Sequence, residues 1–418
     1  MKKVLLGTLA VLTLAACSKD EVVQQNPNDA ISFTATTGKA ISRAIDGYCN
    51  KNLPGDFQVW ANVEDGSSFK PYFSGDKFVK DGSTNNYLNN GETRYWPYSA
   101  IKFFACKNAN PNWNATTGSD AYKTLVVTDF TVADQVADQV DFIYAVQNVT
   151  DKPSTGQTTI NFRHALSQIE FQARNENTKL YVEISGVSVC NVNNKGTFTF
   201  PTLSTDDQIG IHNKPEDAEN PDYDLDSKVK GTWVPASTSS YSDYTITTNK
   251  DDETGTEVKV IKGNSTNVYL TVTDPGSQEH NKNTMYLLPQ TLTAWNPDSK
   301  ATPGDVAQTG AYFLVKCKIF NVADPATGYQ PSDVRIWPKA DDTYADVAIP
   351  FSATWVGGKR YVYTFVFTDK GNGGFNPNPS DPSKPEDVLV PIKLVVTVDD
   401  FVDAGNTDVE MKKPVPAP

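Results

Sequence analysis

Apolar and polar residues alternate with a period of two along almost every hydrophobic stretch of the chain. Ile31, Phe33 and Ala35 interleave with Ser32, Thr34 and Thr36; Phe57, Val59 and Ala61 interleave with Gln58 and Trp60; Ile169, Phe171 and Ala173 interleave with Glu170 and Gln172. Successive side chains of a strand point to opposite faces, so this spacing predicts strands with one buried face. The same reading gives strands over 101–107, 124–132, 141–147, 181–192, 267–273, 312–320, 360–368 and 392–398. Clusters of Gly, Pro, Asn, Asp and Ser punctuate them at 81–90, 108–120, 274–283 and 371–385. Short strands separated in this way point to antiparallel sandwiches rather than a parallel, helix-covered sheet. No helical period extends beyond a turn or two, the nearest being the duplicated ADQVADQV within 132–140.

The polar run Arg174-Asn175-Glu176-Asn177-Thr178 separates two strand-rich halves, which sets expected domains at 30–176 and 177–418. A chain of 418 residues is long enough for two cores. The stretches 204–226 and 237–256 are polar, acidic and poor in core formers, which reads as exposed insertions.

The N-terminus has a different character. Lys2 and Lys3 precede an apolar run from Val4 to Leu14, followed by Leu14-Ala15-Ala16-Cys17. A basic start, a short apolar core and small residues before the break have the layout of a secretory signal, and the run is too short to span a membrane. With cysteine after the break, the pattern resembles a bacterial lipobox. On that reading residues 1–16 leave as signal peptide, Cys17 becomes the acylated first residue, and 17–29 is a polar tether to the outer membrane. Ser18-Lys19-Asp20-Glu21 resembles a surface-export tag and reads equally as part of a solvated tether.

The formal charge of −13 becomes −15 once Lys2 and Lys3 leave with the signal, which gives a nucleic-acid partner no electrostatic support. Beyond Cys17 stand Cys49, Cys106, Cys190 and Cys317, with no zinc spacing. Pairing of Cys49 with Cys106 and of Cys190 with Cys317 suits an exported protein, and unpaired burial suits it equally. Of the three histidines, His212 and His280 lie in polar stretches, and His164 enters a strand where packing or a hydrogen bond is its expected role. There is no nucleophile elbow and no phosphate-binding glycine loop, so no catalytic residue, metal or cofactor is expected and the chain does not read as an enzyme. Asp222, Asp224 and Asp226 match the first ligand positions of a calcium loop. Ser227 then replaces the glycine and Trp233 the bidentate glutamate, which excludes an EF-hand and leaves a looser calcium site open. Trp96 and Trp337, each followed by proline, read as core or edge plugs, whereas Trp113 and Trp295 lie among Asn, Pro and Asp and are candidates for exposure.

Read in order, a set of segments resembles the fimbrillin family, the Mfa-like type V pilins made as lipoproteins. They are Ala30-Ile31-Ser32-Phe33-Thr34-Ala35, Tyr95-Trp96-Pro97 with Ile101-Lys102-Phe103-Phe104-Ala105, and Asp141-Phe142-Ile143-Tyr144-Ala145. Phe162-Arg163-His164-Ala165-Leu166-Ser167-Gln168-Ile169, Gly196-Thr197-Phe198, Leu288-Pro289-Gln290-Thr291 and Trp355-Val356-Gly357-Gly358-Lys359-Arg360-Tyr361 continue the series. The resemblance implies an all-β protein of two tandem transthyretin-like antiparallel β-sandwich domains. It also implies a subunit of a cell-surface fimbrium, with other pilus subunits and an arginine-specific protease as partners, and a role in adhesion.

In similar proteins the first strand is cut away after an arginine, and a strand from the next subunit fills the groove. Here Arg43, before Ala44, is the candidate cut, and Ile31, Phe33 and Ala35 are the residues that hold the groove until then. The candidate donor is the row Ile392, Leu394, Val396 and Val398, preceded by a Pro- and Ser-rich tether at 380–385. Burying four such side chains is worth roughly 6–12 kcal/mol before ordering costs. Patterning alone also allows 392–398 to be the last strand of its own domain. Asp400-Phe401 stands where many relatives have aspartate and tryptophan, and the proline-rich 411–418 cannot extend a strand far. The rival expectation is a surface glycan-binding lipoprotein of a carbohydrate-uptake system, using exposed aromatics.

Overall fold

The computed structural model describes residues 25–37, 53–202, 230–236, 240–248, 258–271, 284–297, 310–339, 343–369, 373–377, 387–400 and 408–410. The fold is all-β. Among the described residues the helical elements are single 3₁₀ turns at Val136–Asp138, inside the ADQVADQV duplication, and at Pro325–Thr327. No helix among them is long and apolar enough to cross a membrane.

The first unit closes on itself. Ile143–Val149, Gln157–His164, Ser32–Thr37, Asn86–Asn89, Ser68–Lys80, Asp56–Asp65 and Ile101–Lys107 follow one another around a barrel, and the last pairs with the first. Closure removes the free edges that an open sheet would present. Its inward row is aromatic: Phe33, Phe57, Phe73, Phe78, Tyr87, Phe103 and Phe162 are all buried in one cluster. The second unit is a thirteen-stranded sheet, whose main path runs from Tyr241–Thr247 through Leu180–Asn193, Tyr312–Asn321, Ala345–Pro350, Gly373–Phe375, Asp387–Asp400, Lys359–Phe367 and Ser167–Asn175 to Val268–Tyr269. Two ladders among the described strands are parallel, Ser32–Thr37 on Gln157–His164 and Ser167–Asn175 on Lys359–Phe367. The first strand of each unit thus lies parallel to a later strand of the same unit.

A third, four-stranded sheet joins the two. It takes Asn112–Trp113 and Leu125–Thr131 from the first half and Lys195–Thr199 and Thr232–Pro235 from the second. Its aromatic face covers the outside of the barrel, which explains why Phe103, Phe104, Ala105 and Cys106 are apolar at successive positions. Ile101, Phe103 and Ala105 point into the barrel, while Phe104 and Cys106 belong to the core shared with the second unit. Phe198 lies 5.0 Å from Phe142 and 4.8 Å from Tyr144, ring centre to ring centre. The passage from barrel to large sheet occurs at Ala165-Leu166, ahead of the polar run at 174–178, because Ser167–Asn175 is already a strand of the second sheet. There Trp233 Nε1 donates to the Ala165 carbonyl at 2.7 Å and Gly358 N to the Leu166 carbonyl at 2.9 Å. Gly357 has no room for a Cβ, which would stand 2.7 Å from the Ala165 carbonyl oxygen.

Candidate functional site

The N-terminal strand is held in the barrel by a parallel ladder on one side and a short antiparallel one on the other. It shares six register pairs with Gln157–His164, from Ser32↔Gln157 to Thr37↔Phe162, and on its other side two with Tyr87 and Asn86. Its burial alternates as the sequence pattern requires. Ile31 is 3 % exposed, Phe33 0 % and Ala35 1 %, whereas Ser32, Thr34 and Thr36 are half-buried on the outer face. Phe33 is the central plug, with ring centres at 4.7 Å to Phe78, 5.1 Å to Phe103 and 6.2 Å to Phe57. The outer row is tied by side chains: Thr34 Oγ1 and Thr159 Oγ1 are 2.7 Å apart, and Thr36 Oγ1 donates to Asn161 Oδ1 at 3.2 Å.

Beyond the strand, Ile31 N donates to the Arg94 carbonyl at 2.8 Å. Trp96, fully buried below this turn, donates from Nε1 to the Gly156 carbonyl at 2.9 Å. Gly156 has φ +67°, so the turn that starts the parallel partner strand requires glycine. Lifting out 31–37 would therefore leave a slot floored by Phe57, Phe78, Phe103 and Phe162, with Gln157–His164 and Asn86–Asn89 as its walls. These lining residues were legible only as strand residues, since alternation reveals which face is buried but not which strand each one meets.

The C-terminal row is also placed. Asp387–Asp400 pairs antiparallel with Lys359–Phe367 over nine positions, from Lys359↔Asp400 to Phe367↔Ile392. Its other side meets Gly373–Phe375 at two positions and Asp408–Glu410 at three. Ile392, Leu394 and Val396 are buried in the large core, and Val398 packs partly buried against it. This row thus lies in its own sheet. Cys17, Arg43, Ala44 and Cys49 lie outside the described residues, as do His212, His280, Asp222, Asp224 and Asp226.

The remaining candidate chemistry is structural. His164 Nδ1 lies 2.8 Å from Asp141 Oδ2, both buried at the junction of the two units. Cys106, Cys190 and Cys317 are free and buried, which corrects the pairing of Cys190 with Cys317. On adjacent strands Cys190 faces Tyr312 and Cys317 faces Ile184. The two cysteines are thus five residues apart along the ladder, about 17 Å and far outside disulfide range. Burial pushes the Cys106 thiol up to about 12. Trp295 is fully buried beside Tyr312 and Phe375, correcting the expectation of exposure. Trp113 is partly buried, edge-on to Phe104 at 5.9 Å. Neither indole offers a free platform for sugar stacking. Among the described residues no three His, Cys, Asp or Glu side chains come together as a metal site.

A family model described as fimbrillin-like matches residues 42–380. Among solved structures, a fimbrial protein from Bacteroides vulgatus is 12 % identical, covers 90 % of this chain and 100 % of its own, and superposes with a TM-score of 0.50. A candidate cell adhesion protein from Parabacteroides distasonis is 10 % identical over 88 % of this chain and 98 % of its own, with a TM-score of 0.43. Another from Bacteroides uniformis is 12 % identical over 90 % and 100 %, with a TM-score of 0.38. No curated protein matches the chain. At such identities the first of these structures speaks for the fold alone.

Proposed function

Since the chain belongs to the fimbrillin-like family, we propose that it is a structural, non-enzymatic subunit of a surface fimbrium, exported as a lipoprotein on Cys17, matured by a cut after Arg43 and polymerised by strand exchange. The observation that carries this reading is the N-terminal strand. It fills an aromatic slot with only Ile31, Phe33 and Ala35, is walled by eight register pairs, and lies just upstream of the arginine. A strand from another copy would complete the barrel by adding to both walls, the main-chain ladder providing affinity and the inward row specificity.

Ile392, Leu394, Val396 and Val398 supply that row. Before the cut no slot is open. After it one slot per subunit stands empty, and the fourteen register pairs Asp387–Asp400 gives up at home, nine with Lys359–Phe367, two with Gly373–Phe375 and three with Asp408–Glu410, are set against eight regained in the neighbouring barrel, so that filling the vacated aromatic slot has to supply the difference. Proteolysis is therefore the switch. Head-to-tail repetition of one such contact generates a filament, because the surfaces that meet are different on the two copies. Adhesion then follows from the filament, with other pilus subunits as partners.

The test is treatment of purified precursor with an arginine-specific, trypsin-like protease. Ladders of subunits that resist warm detergent support the reading. Complete cutting after Arg43 that leaves only monomers contradicts it.

A further inference from the structure

We propose that the donor enters the neighbouring barrel in the same direction as the strand it replaces, with Ile392, Leu394 and Val396 taking the places of Ile31, Phe33 and Ala35. This rests on the strand-exchange reading above and adds its direction and register.

The two segments have the same order of side chains. Ile31-Ser32-Phe33-Thr34-Ala35-Thr36 and Ile392-Lys393-Leu394-Val395-Val396-Thr397 both run isoleucine, polar residue, large apolar residue, β-branched residue, small apolar residue, threonine. The slot has matching sizes. The Phe33 position is ringed by Phe57, Phe78 and Phe103, and the buried Ala35 position takes the smallest side chain of the row. Leu394 is the large residue at the centre of the donor row, and the valines are its smallest side chains. Placing Leu394 at the Phe33 position fills the wide site, and Val396 then meets the narrow one.

Shifting by two residues puts either Val396 or Ile392 at the Phe33 position. The first leaves a cavity, and the second drives Leu394 into the site of an alanine, where overpacking costs about 1–3 kcal/mol. Slipping by a single residue turns the whole apolar row to the outside.

Direction is decided by the flanking residues. In the same direction Thr397 falls where Thr36 stands and keeps a hydroxyl beside Asn161, and Pro391 falls at Ala30, outside the ladder with Gln157–His164. Reversal about Leu394 brings Pro391 to the Thr36 position. There a residue without an N–H would stand opposite Asn161 within the ladder with Gln157–His164, and the larger Ile392 would meet the Ala35 site.

Cysteine pairs read this out. The Thr34 and Thr159 hydroxyls are 2.7 Å apart, so a cysteine that takes the Thr34 position lies within disulfide range of one at 159. Copies carrying Thr159→Cys are mixed with copies carrying either Val395→Cys or Lys393→Cys, all in a Cys49→Ser background, then matured, polymerised and oxidised. The proposal expects linked dimers on a boiled, non-reducing gel with Val395→Cys and none with Lys393→Cys. Linkage through Lys393→Cys would mean reversed entry or a register shifted by two residues, and polymers that link through neither would mean yet another register; each of these overturns it. Absence of any polymer from the matured parent chain overturns the exchange reading itself, and this proposal with it.

Discussion

Replacing Phe33 by alanine removes the plug of the barrel. The side chain has no solvent exposure and touches three rings carried by different strands. Deleting a buried phenylalanine costs about 3–5 kcal/mol, the higher values belonging to sites that cannot collapse. Phe57, Phe78 and Phe103 are fixed in a closed ladder, so this site belongs to the upper half, about 4–5 kcal/mol. The outward Ser32→Ala, on the same strand, should cost under about 0.5 kcal/mol. Urea unfolding followed by tryptophan fluorescence is the assay, with Trp96 reporting from 5.8 Å away from Phe103 in the same core. At a urea dependence of about 2–3 kcal/mol/M the midpoint of the barrel transition should fall by roughly 1.5–2.5 M. A Phe33→Ala chain within about 1 kcal/mol of its parent would refute the argument that this strand is held by its inward row.

Three further outcomes follow from other parts of the molecule. Hydrogen bonds from Lys107 and then Lys77 hold the Asp56 carboxyl below its usual range; a lowered value in the folded chain means stabilisation that is present above the ordinary carboxylate range and lost as pH falls through the folded value. Asp56→Asn should therefore cost up to about 1 kcal/mol at pH 7 and progressively less below about pH 4, and equal penalties at pH 3 and pH 7 would count against this. Burial raises the thiol of Cys106 to about 12 and raises those of Cys190 and Cys317 as well. A mature Cys49→Ser chain should then resist a thiol reagent at pH 8 until unfolded, and rapid native labelling of any of the three would contradict their placement. Trp233→Phe keeps the ring packing but loses the bond to the Ala165 carbonyl, so calorimetry should register a loss of about 1 kcal/mol, whereas no change would separate that contact from the stability of the junction.

Strand content was legible because period two survives wherever one face is wet. Ser32–Thr37 alternates cleanly and occurs where the pattern put it, while Gln157–His164 is a strand that the reading left out. What the pattern does not carry is partner and direction. A strand beside a parallel neighbour alternates just as one beside an antiparallel neighbour does, so the two parallel ladders and the closure of the barrel had no local signal. The four-stranded sheet was hidden for another reason. Asn112–Trp113 and Thr232–Pro235 are short pieces, and Trp233 finds its burial against Phe130 and Phe142 in the opposite half of the chain. Trp295 misled similarly: its neighbours in sequence are polar, and Tyr312 and Phe375, which bury it, are distant. A signal for the shared core did exist in Ile101–Lys107, where apolar residues at successive positions require a cover on both faces. As for the candidate site, the inward row of the first strand and the apolar row at 392–398 were both readable, whereas the ladder that keeps the latter at home required the fold.

The central claim is that Asp387–Asp400 leaves its own sheet to enter another copy. Thr364 and Val395 face each other across the ladder that must open, and both are buried on the side away from the main core. A Thr364→Cys, Val395→Cys chain lacking Cys49 can be oxidised to pin the strand in place, then cut with the arginine-specific protease. The account predicts monomers while the disulfide is intact and detergent-resistant ladders once it is reduced. Ladders of equal length in both states would contradict it.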